Sequence, residues 1–235
     1  MLNRVLVPAH DLLESIPRNE FHIHTTYSDG INTIQEYVLE AAEKQFKTIC
    51  FVDHVDFSTT WFEHYRNTIF NIRKKYKFLS INCGIEVRIK NHRGDLNTDP
   101  KILNRSEIIM GVVHRVHLEN ERKTFDPKIS PAKKLLRQEY KLIIKLLKNP
   151  LIDILGHPMA NYEKHFGEVP QSLYLKILET AKKQHIAVEL NPGYQQNFPK
   201  FLKLTLEVNP LISLGSNVHS VSEFGKTVER IKELI

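Results

Sequence analysis

The sequence predicts an α/β fold, a compact TIM-like barrel, and three observations carry that expectation. Short apolar, β-branched runs alternate with longer amphipathic stretches along the chain. Seven such runs fit within 235 residues, near the lower size limit of the barrel class. Residue types that ligate metals stand where these runs end. An open, doubly wound parallel sheet would show the same alternation, because alternation alone does not show closure.

Strands are expected at residues 21–24, 48–52, 80–87, 108–113, 152–155, 186–190 and 211–214. Helices are expected between and after them, at 33–45, 61–76, 131–147, 171–184, 199–208 and 222–234. Asn32 is the expected N-cap of the first helix, with Gln35 three residues on as in a capping box. In the 131–147 helix, Leu135, Leu136, Tyr140, Ile143, Ile144 and Leu147 fall at helical spacing and predict one apolar stripe. No linker, low-complexity tract or close repeat divides the chain, so one barrel domain is expected over 20–235. Residues 1–19 form an N-terminal extension with no assigned role.

Composition narrows the function. With 41% hydrophobic and 26% charged residues the chain can build a sizeable core. No apolar stretch approaches the roughly 20 residues that span a bilayer, so no membrane partner is expected. The first residues, broken by Arg4, Pro8, His10, Asp11 and Glu14, do not read as a secretory signal, and the expected location is the cytoplasm. Cys50 and Cys83 lie in separate apolar runs and read as reduced core thiols. A formal charge of +6 and a pI near 9.2 suit an anionic substrate, nucleic acid included. Basic runs such as Arg73-Lys74-Lys75 are more often solvated helix faces.

The ligand-type residues point further. The chain has 12 histidines and 27 acids among 235 residues, and His or Glu closes six of the seven predicted strands: His22 and His24, His54, Glu86, His114, His157 and His219. Chance does not readily place them so. Barrel active sites are built at the C-terminal ends of strands, where these six segments would converge. His22 and His24, two apart on a strand, leave the same face and can grip one ion; Asn217 and His219 repeat that spacing. Asp53 and His54 should diverge, leaving His54 as ligand and Asp53 as the group that orients it. Imidazoles mixed with carboxylates, without thiolate, suit Zn, Mn or Fe rather than a calcium cage. His10, His64, His92, His165 and His185 fit no pattern, and His117 is left outside the ligand set.

Together these motifs resemble the PHP family, named for polymerase and histidinol phosphatase. The residues that carry the resemblance are His22-x-His24-Thr25-x-x-Ser28-Asp29-Gly30, Asp53-His54, Gly84-Ile85-Glu86, His114, Gly156-His157-Pro158 and Ser216-Asn217-Val218-His219. The resemblance implies a distorted (β/α)7 barrel with two or three divalent metal ions (Zn, Mn or Fe) at its mouth. It implies that His22, His24 and Glu86 share one ion, and that Glu86 bridges to a second held by His114 and His157. His54, His219 and Asp29 are implied for a third, and His22, His24, Glu86 and His219 are taken as the catalytic centre. Asn217 departs from the family's usual Asp, and a neutral amide is the poorer ligand.

The activity this implies is hydrolysis of a phosphate ester, with a small phosphomonoester such as histidinol phosphate as the expected substrate. Arg115, next to His114, and Arg88, just beyond Glu86, are by position candidate phosphate clamps. A nuclease acting on DNA or RNA ends is the first alternative, mildly favoured by the basic pI but lacking an aromatic-and-basic stacking stripe. A non-catalytic RNA- or protein-binding relative is the second, disfavoured by the largely intact ligand set.

Overall fold

The computed structural model describes residues 6–116 and 131–235. Nine strands occur there: β1 (Val7–Pro8), β2 (Asn19–Ile23), β3 (Thr48–Phe51), β4 (His54–Val55), β5 (Ser80–Arg88), β6 (Ile108–Val112), β7 (Ile154–Leu155), β8 (Ala187–Leu190) and β9 (Leu211–Leu214). They pair in the order β1-β9-β8-β7-β6-β5-β3-β2, and every neighbouring pair is parallel except β1 with β9. Both β3 and β4 pair with β5, so they act as one strand interrupted at Val52 and Asp53. Closure comes from the segment just after β9. Val218 N–H donates to the His22 carbonyl and His24 N–H donates to the Val218 carbonyl, both at 2.8 Å. The sheet is therefore a barrel of seven parallel strands, as the sequence predicts, and the open-sheet alternative falls away.

Two apolar cores follow from this closure. Cys50 and Val52, and Ile108, Met110 and Val112, alternate along their strands and fill the barrel interior with Leu6, Phe21, Ile154 and Ala187. The larger cluster lies between the strands' outer faces and the helices. Those helices are α1 (Ile34–Glu43), α2 (Phe62–Lys75), α3 (Pro100–Leu103), α4 (Ala132–Leu146), α5 (Ala160–Phe166), α6 (Gln171–Gln184), α7 (Phe198–Val208) and α8 (Lys226–Lys232). Cys50 and Cys83 are free and buried. No helix among the described residues is long and apolar enough to cross a membrane.

Several local expectations shift. Thr33, not Asn32, caps α1: its hydroxyl accepts from Glu36 N–H while Glu36 accepts from Thr33 N–H, a reciprocal box one residue downstream. Asn32 instead accepts from Val221 N–H and ties the first loop to the last. The buried face of α4 includes Glu139 along with Leu135, Leu142, Ile143 and Leu146, so the stripe is rotated from the expected one. Glu139 tolerates burial because its carboxylate accepts from the N–H groups of Asn161 and Tyr162, at 3.0 and 2.8 Å, in the first turn of α5. Burial lifts its carboxyl to about 7 against those hydrogen bonds. The short α3 and α5 carry too few periodic positions to have been predicted.

The N-terminal segment packs against the barrel floor. Val7 and Pro8 pair antiparallel with Ile212 and Leu211, and Leu6 enters the interior cluster. Replacing Leu6 by Ala should lower unfolding stability by about 2–4 kcal/mol through loss of burial and a residual cavity. Urea denaturation followed by circular dichroism checks this; a loss below roughly 0.5 kcal/mol, the size of an ordinary surface substitution, would place residue 6 outside the core.

Candidate metal centre

Glu86 sits near the end of the long strand β5 and is 1% exposed. Five imidazoles surround its carboxylate. The separations are 2.5 Å from His54 Nδ1, 3.0 Å from His157 Nε2, 3.3 Å from His114 Nε2, 3.5 Å from His22 Nε2 and 3.7 Å from His24 Nε2. Each imidazole arrives from a different strand end, apart from the His22–His24 pair, which the strand's period of two places together. The register of β2 slips between Glu20 and Ile23, a local irregularity of the kind that re-aims side chains at barrel rims.

A second carboxylate, Asp29, lies on the outer side and is half exposed. It stands 3.3 Å from His54 Nε2, 3.4 Å from His219 Nε2 and 3.8 Å from His24 Nδ1. His219 is oriented by the backbone: its Nδ1 lies 3.0 Å from the carbonyl of Asn217, which leaves Nε2 for the cluster. Three compact ligand groups result: His22, His24 and Glu86; His54, Glu86 and His114; and His24, Asp29, His54 and His219. The first and third contain the groupings implied by the resemblance. In the second, His54 takes the place given to His157, which remains at hydrogen-bond distance from Glu86. Asn217 holds a left-handed backbone (φ 50°) and turns its amide nitrogen to Tyr194, with Oδ1 buried and unpartnered. Arg88 and Arg115 do not touch the cluster carboxylates. Both line an adjoining cleft of about 510 Å³, with His54, Glu86, His114, Tyr27 and Trp61. His117 lies outside the described residues.

Three buried acids hold this arrangement: Glu189 and Glu20, which the sequence pattern does not single out, and Asp53, whose partners differ from the expected one. Glu189, on the one strand given no ligand, lies 2.6 Å from His22 Nδ1 and accepts from His157 N–H at 2.6 Å. A carboxylate behind a histidine fixes its tautomer and directs the far nitrogen at the ion. The available signal was a lone acid inside the apolar run Ala187-Val188-Glu189-Leu190. Glu20 accepts from Ser216 N–H and Oγ–H and from Gly225 N–H, tethering the last loop. Asp53 does not reach His54 as expected. Its carboxylate accepts from the backbone and hydroxyl of both Thr25 and Ser28, because the interruption between β3 and β4 turns it toward the loop after β2.

The electrostatics are those of a site that wants a cation. Burial opposes charge on every group, yet the surrounding imidazoles, His114 and His22 first, hold Glu86 well below the usual carboxylate range. Burial likewise opposes a charged His22, but Glu189 and then Glu86 overcome it and push the imidazole up to about 10. Carboxylates that draw a proton onto a fully buried histidine would bind a divalent ion in its place, releasing that proton. His22 Nε2 and His24 Nε2 converge to 3.0 Å, and His24 Nδ1 is buried without a hydrogen-bond partner. A buried nitrogen without a partner is costly unless an ion or water satisfies it. The donor set of imidazole and carboxylate fits Zn, Mn or Fe.

A barrel with this histidine–carboxylate ring at the C-terminal ends of its strands is built as a metal-dependent hydrolase would be, and the family to which it belongs makes it a metal-dependent phosphoesterase. The chain belongs to the PHP domain family, whose model matches residues 20–193. It is similar to a protein named "Probable phosphatase" of Thermoanaerobacter sp. (strain X514), 27% identical over 225 residues, covering 90% of this chain and 82% of that one. A second "Probable phosphatase", of Proteus mirabilis (strain HI4320), is 24% identical over 227 residues and covers 92% and 84%. Among solved structures, the fold is similar to that of a histidinol phosphate phosphatase from Lactococcus lactis subsp. lactis Il1403, described in complex with zinc, L-histidinol and phosphate. That match has a TM-score of 0.74 and 18% identity and covers 92% of each chain.

Gly215 makes the Glu189–His22 contact possible. A Cβ there would stand 2.2 Å from Glu189 Oε1 and 2.8 Å from His22 Cβ. Gly215→Ala should therefore displace Glu189, and both it and Glu189→Gln should lower metal affinity by roughly 10–100-fold, as for other groups behind metal ligands. Metal titration with elemental analysis checks this. Wild-type affinity in both variants would show that Glu189 does not orient His22.

Proposed function

We propose that this protein hydrolyses a small phosphomonoester, with His22, His24, Asp29, His54, Glu86, His114, His157, Asn217 and His219 holding two or three divalent ions. The observation that carries the reading is Glu86, a buried carboxylate ringed by five imidazoles, which suits it to bridge ions rather than serve one. Divalent ions held there would supply Lewis acidity at the phosphate and a water acidic enough to furnish hydroxide near neutral pH. His22, His24, Glu86 and His219 form the catalytic centre of this proposal.

The chain's own residues define the rest. Arg88 and Arg115 line the cleft beside Glu86 and His114 and would bind phosphate oxygens, Arg115 from the surface and Arg88 from a half-buried position. Tyr27 and Trp61, 5.5 Å apart between ring centroids, form an apolar wall for the leaving group. The cleft is of a size for a small ligand. A histidinol-phosphate-like ester fits this description, supported by the fold it shares with the histidinol phosphate phosphatase above. Hydroxide would add to phosphorus, the ester P–O bond would break, and the alcohol would leave with a proton from solvent.

A hydrolysis screen over phosphomonoesters, phosphodiesters and oligonucleotides, with Mn and Zn, tests the reading. Phosphomonoesters should be turned over, chelators should abolish turnover, and added metal should restore it. Glu86→Gln should cost more than the roughly 10–100-fold loss usual for a group behind a ligand such as Glu189. Turnover confined to oligonucleotides would favour the nuclease alternative; no turnover with any substrate at full metal loading would favour a binding role.

A further inference from the structure

Tyr194, just after β8, borders the cluster beside His157 and lies outside the lining of the cleft that holds Arg88 and Arg115. Its ring stacks on His157 with centroids 4.7 Å apart and planes 22° from parallel. It is nevertheless 37% exposed, unusual for a ring packed against so buried a site. The loop that carries it is braced. Tyr194 N–H donates to the Asn191 carbonyl at 3.0 Å, Asn191 Oδ1 accepts from Gly193 N–H at 3.0 Å, and Gln195 Oε1 accepts from Asn191 N–H at 2.9 Å. One residue on, Gln196 N–H donates to buried Glu163 at 2.7 Å. A tyrosine held this firmly at the mouth of a polar cluster is positioned for a ligand.

Its hydrogen bonding shows what that ligand would receive. A phenol hydroxyl has one proton to give and lone pairs with which to accept. Here the oxygen accepts from Asn217 Nδ2 at 2.6 Å, and among the described residues the hydroxyl proton has no acceptor. The Asn217 amide thus uses the acceptor side of the hydroxyl and leaves the donor side free. A carboxylate at position 217 has no proton to offer and would take the phenolic one instead.

We propose that Tyr194 donates a hydrogen bond to a phosphate oxygen of the substrate, and that Asn217 keeps the phenolic proton available for it. This rests on the phosphatase reading above and adds a phosphate-binding residue outside the cleft lined by the two arginines. It also gives Asn217 a role besides that of a weak metal ligand. The amide lowers the negative charge of the cluster and sets the direction of the Tyr194 hydroxyl.

The test is inorganic phosphate binding to zinc-loaded protein by titration calorimetry, paired with steady-state kinetics and metal content. Wild type, Tyr194→Phe, Asn217→Asp and the double variant are compared. Tyr194→Phe should weaken phosphate binding and raise KM by about tenfold to a hundredfold, the loss expected for a hydrogen bond to a charged group, at unchanged metal content. Asn217→Asp should tighten metal and weaken phosphate, and it should weaken phosphate much less when Tyr194 is already Phe. Wild-type phosphate affinity and KM in Tyr194→Phe would overturn the proposal, and an equal Asn217→Asp effect in both backgrounds would overturn the role given to Asn217. A wild type that neither binds phosphate nor hydrolyses any phosphomonoester would overturn the phosphatase reading itself.

Discussion

Everything at the barrel mouth is subordinate to the burial of one charged group, Glu86. Removing a carboxylate from water costs several kcal/mol even after relaxation, and the cost is offset only when opposite charge and hydrogen-bond donors surround it. Five imidazoles from four strand ends supply that surrounding. Neutral imidazoles alone balance a carboxylate poorly, and Glu189 and then Glu86 push His22 up to about 10 against its burial. Divalent ions balance it better, and they bring the reactivity that the proposed chemistry requires. The same electrostatic demand therefore underlies both the gathering of the cluster and the function proposed for it.

Holding so many rings at one point needs support behind them, and that support comes from acids turned away from the cluster. Glu189 reaches His22 and the backbone of His157, Asp53 ties down the loop after β2, and Glu20 anchors the loop after β9. Asn161, held by Glu139, donates to the carbonyl of Val113 just before His114. His157, Met159 and Asn217 adopt left-handed backbone angles beside the cluster. Such strain persists in non-glycine residues when the surrounding structure enforces it, commonly at functional sites.

Much of this was legible in the sequence, for reasons that also mark where legibility stops. The convergence of the strand-end histidines was readable because a period of two and a shared strand end are local properties: His22 and His24 needed no tertiary knowledge. The long periodic helix α6 and strand β9 fall where the apolar pattern places them. What the sequence did not reveal depends on partners far along the chain. Glu189 reads as an odd acid in a buried strand until His22, distant in sequence, is brought beside it. Adjacency pairs Asp53 with His54, whereas the break between β3 and β4 turns it toward Thr25. Glu139 rotates the buried face of α4 because α5, too short to predict, presents its unpaired N–H groups there. The pairing of Val7 and Pro8 with β9 likewise has no local signature.

The central claim is that the ring around Glu86 is a multi-ion site. Anomalous X-ray diffraction from crystals grown with zinc tests it most directly, because each ion gives a separate peak. The account predicts more than one peak among the side chains of His22, His24, Asp29, His54, Glu86, His114, His157 and His219, with Glu86 beside at least two of them. A single peak at full loading, or zinc bound only elsewhere on the surface, would contradict it.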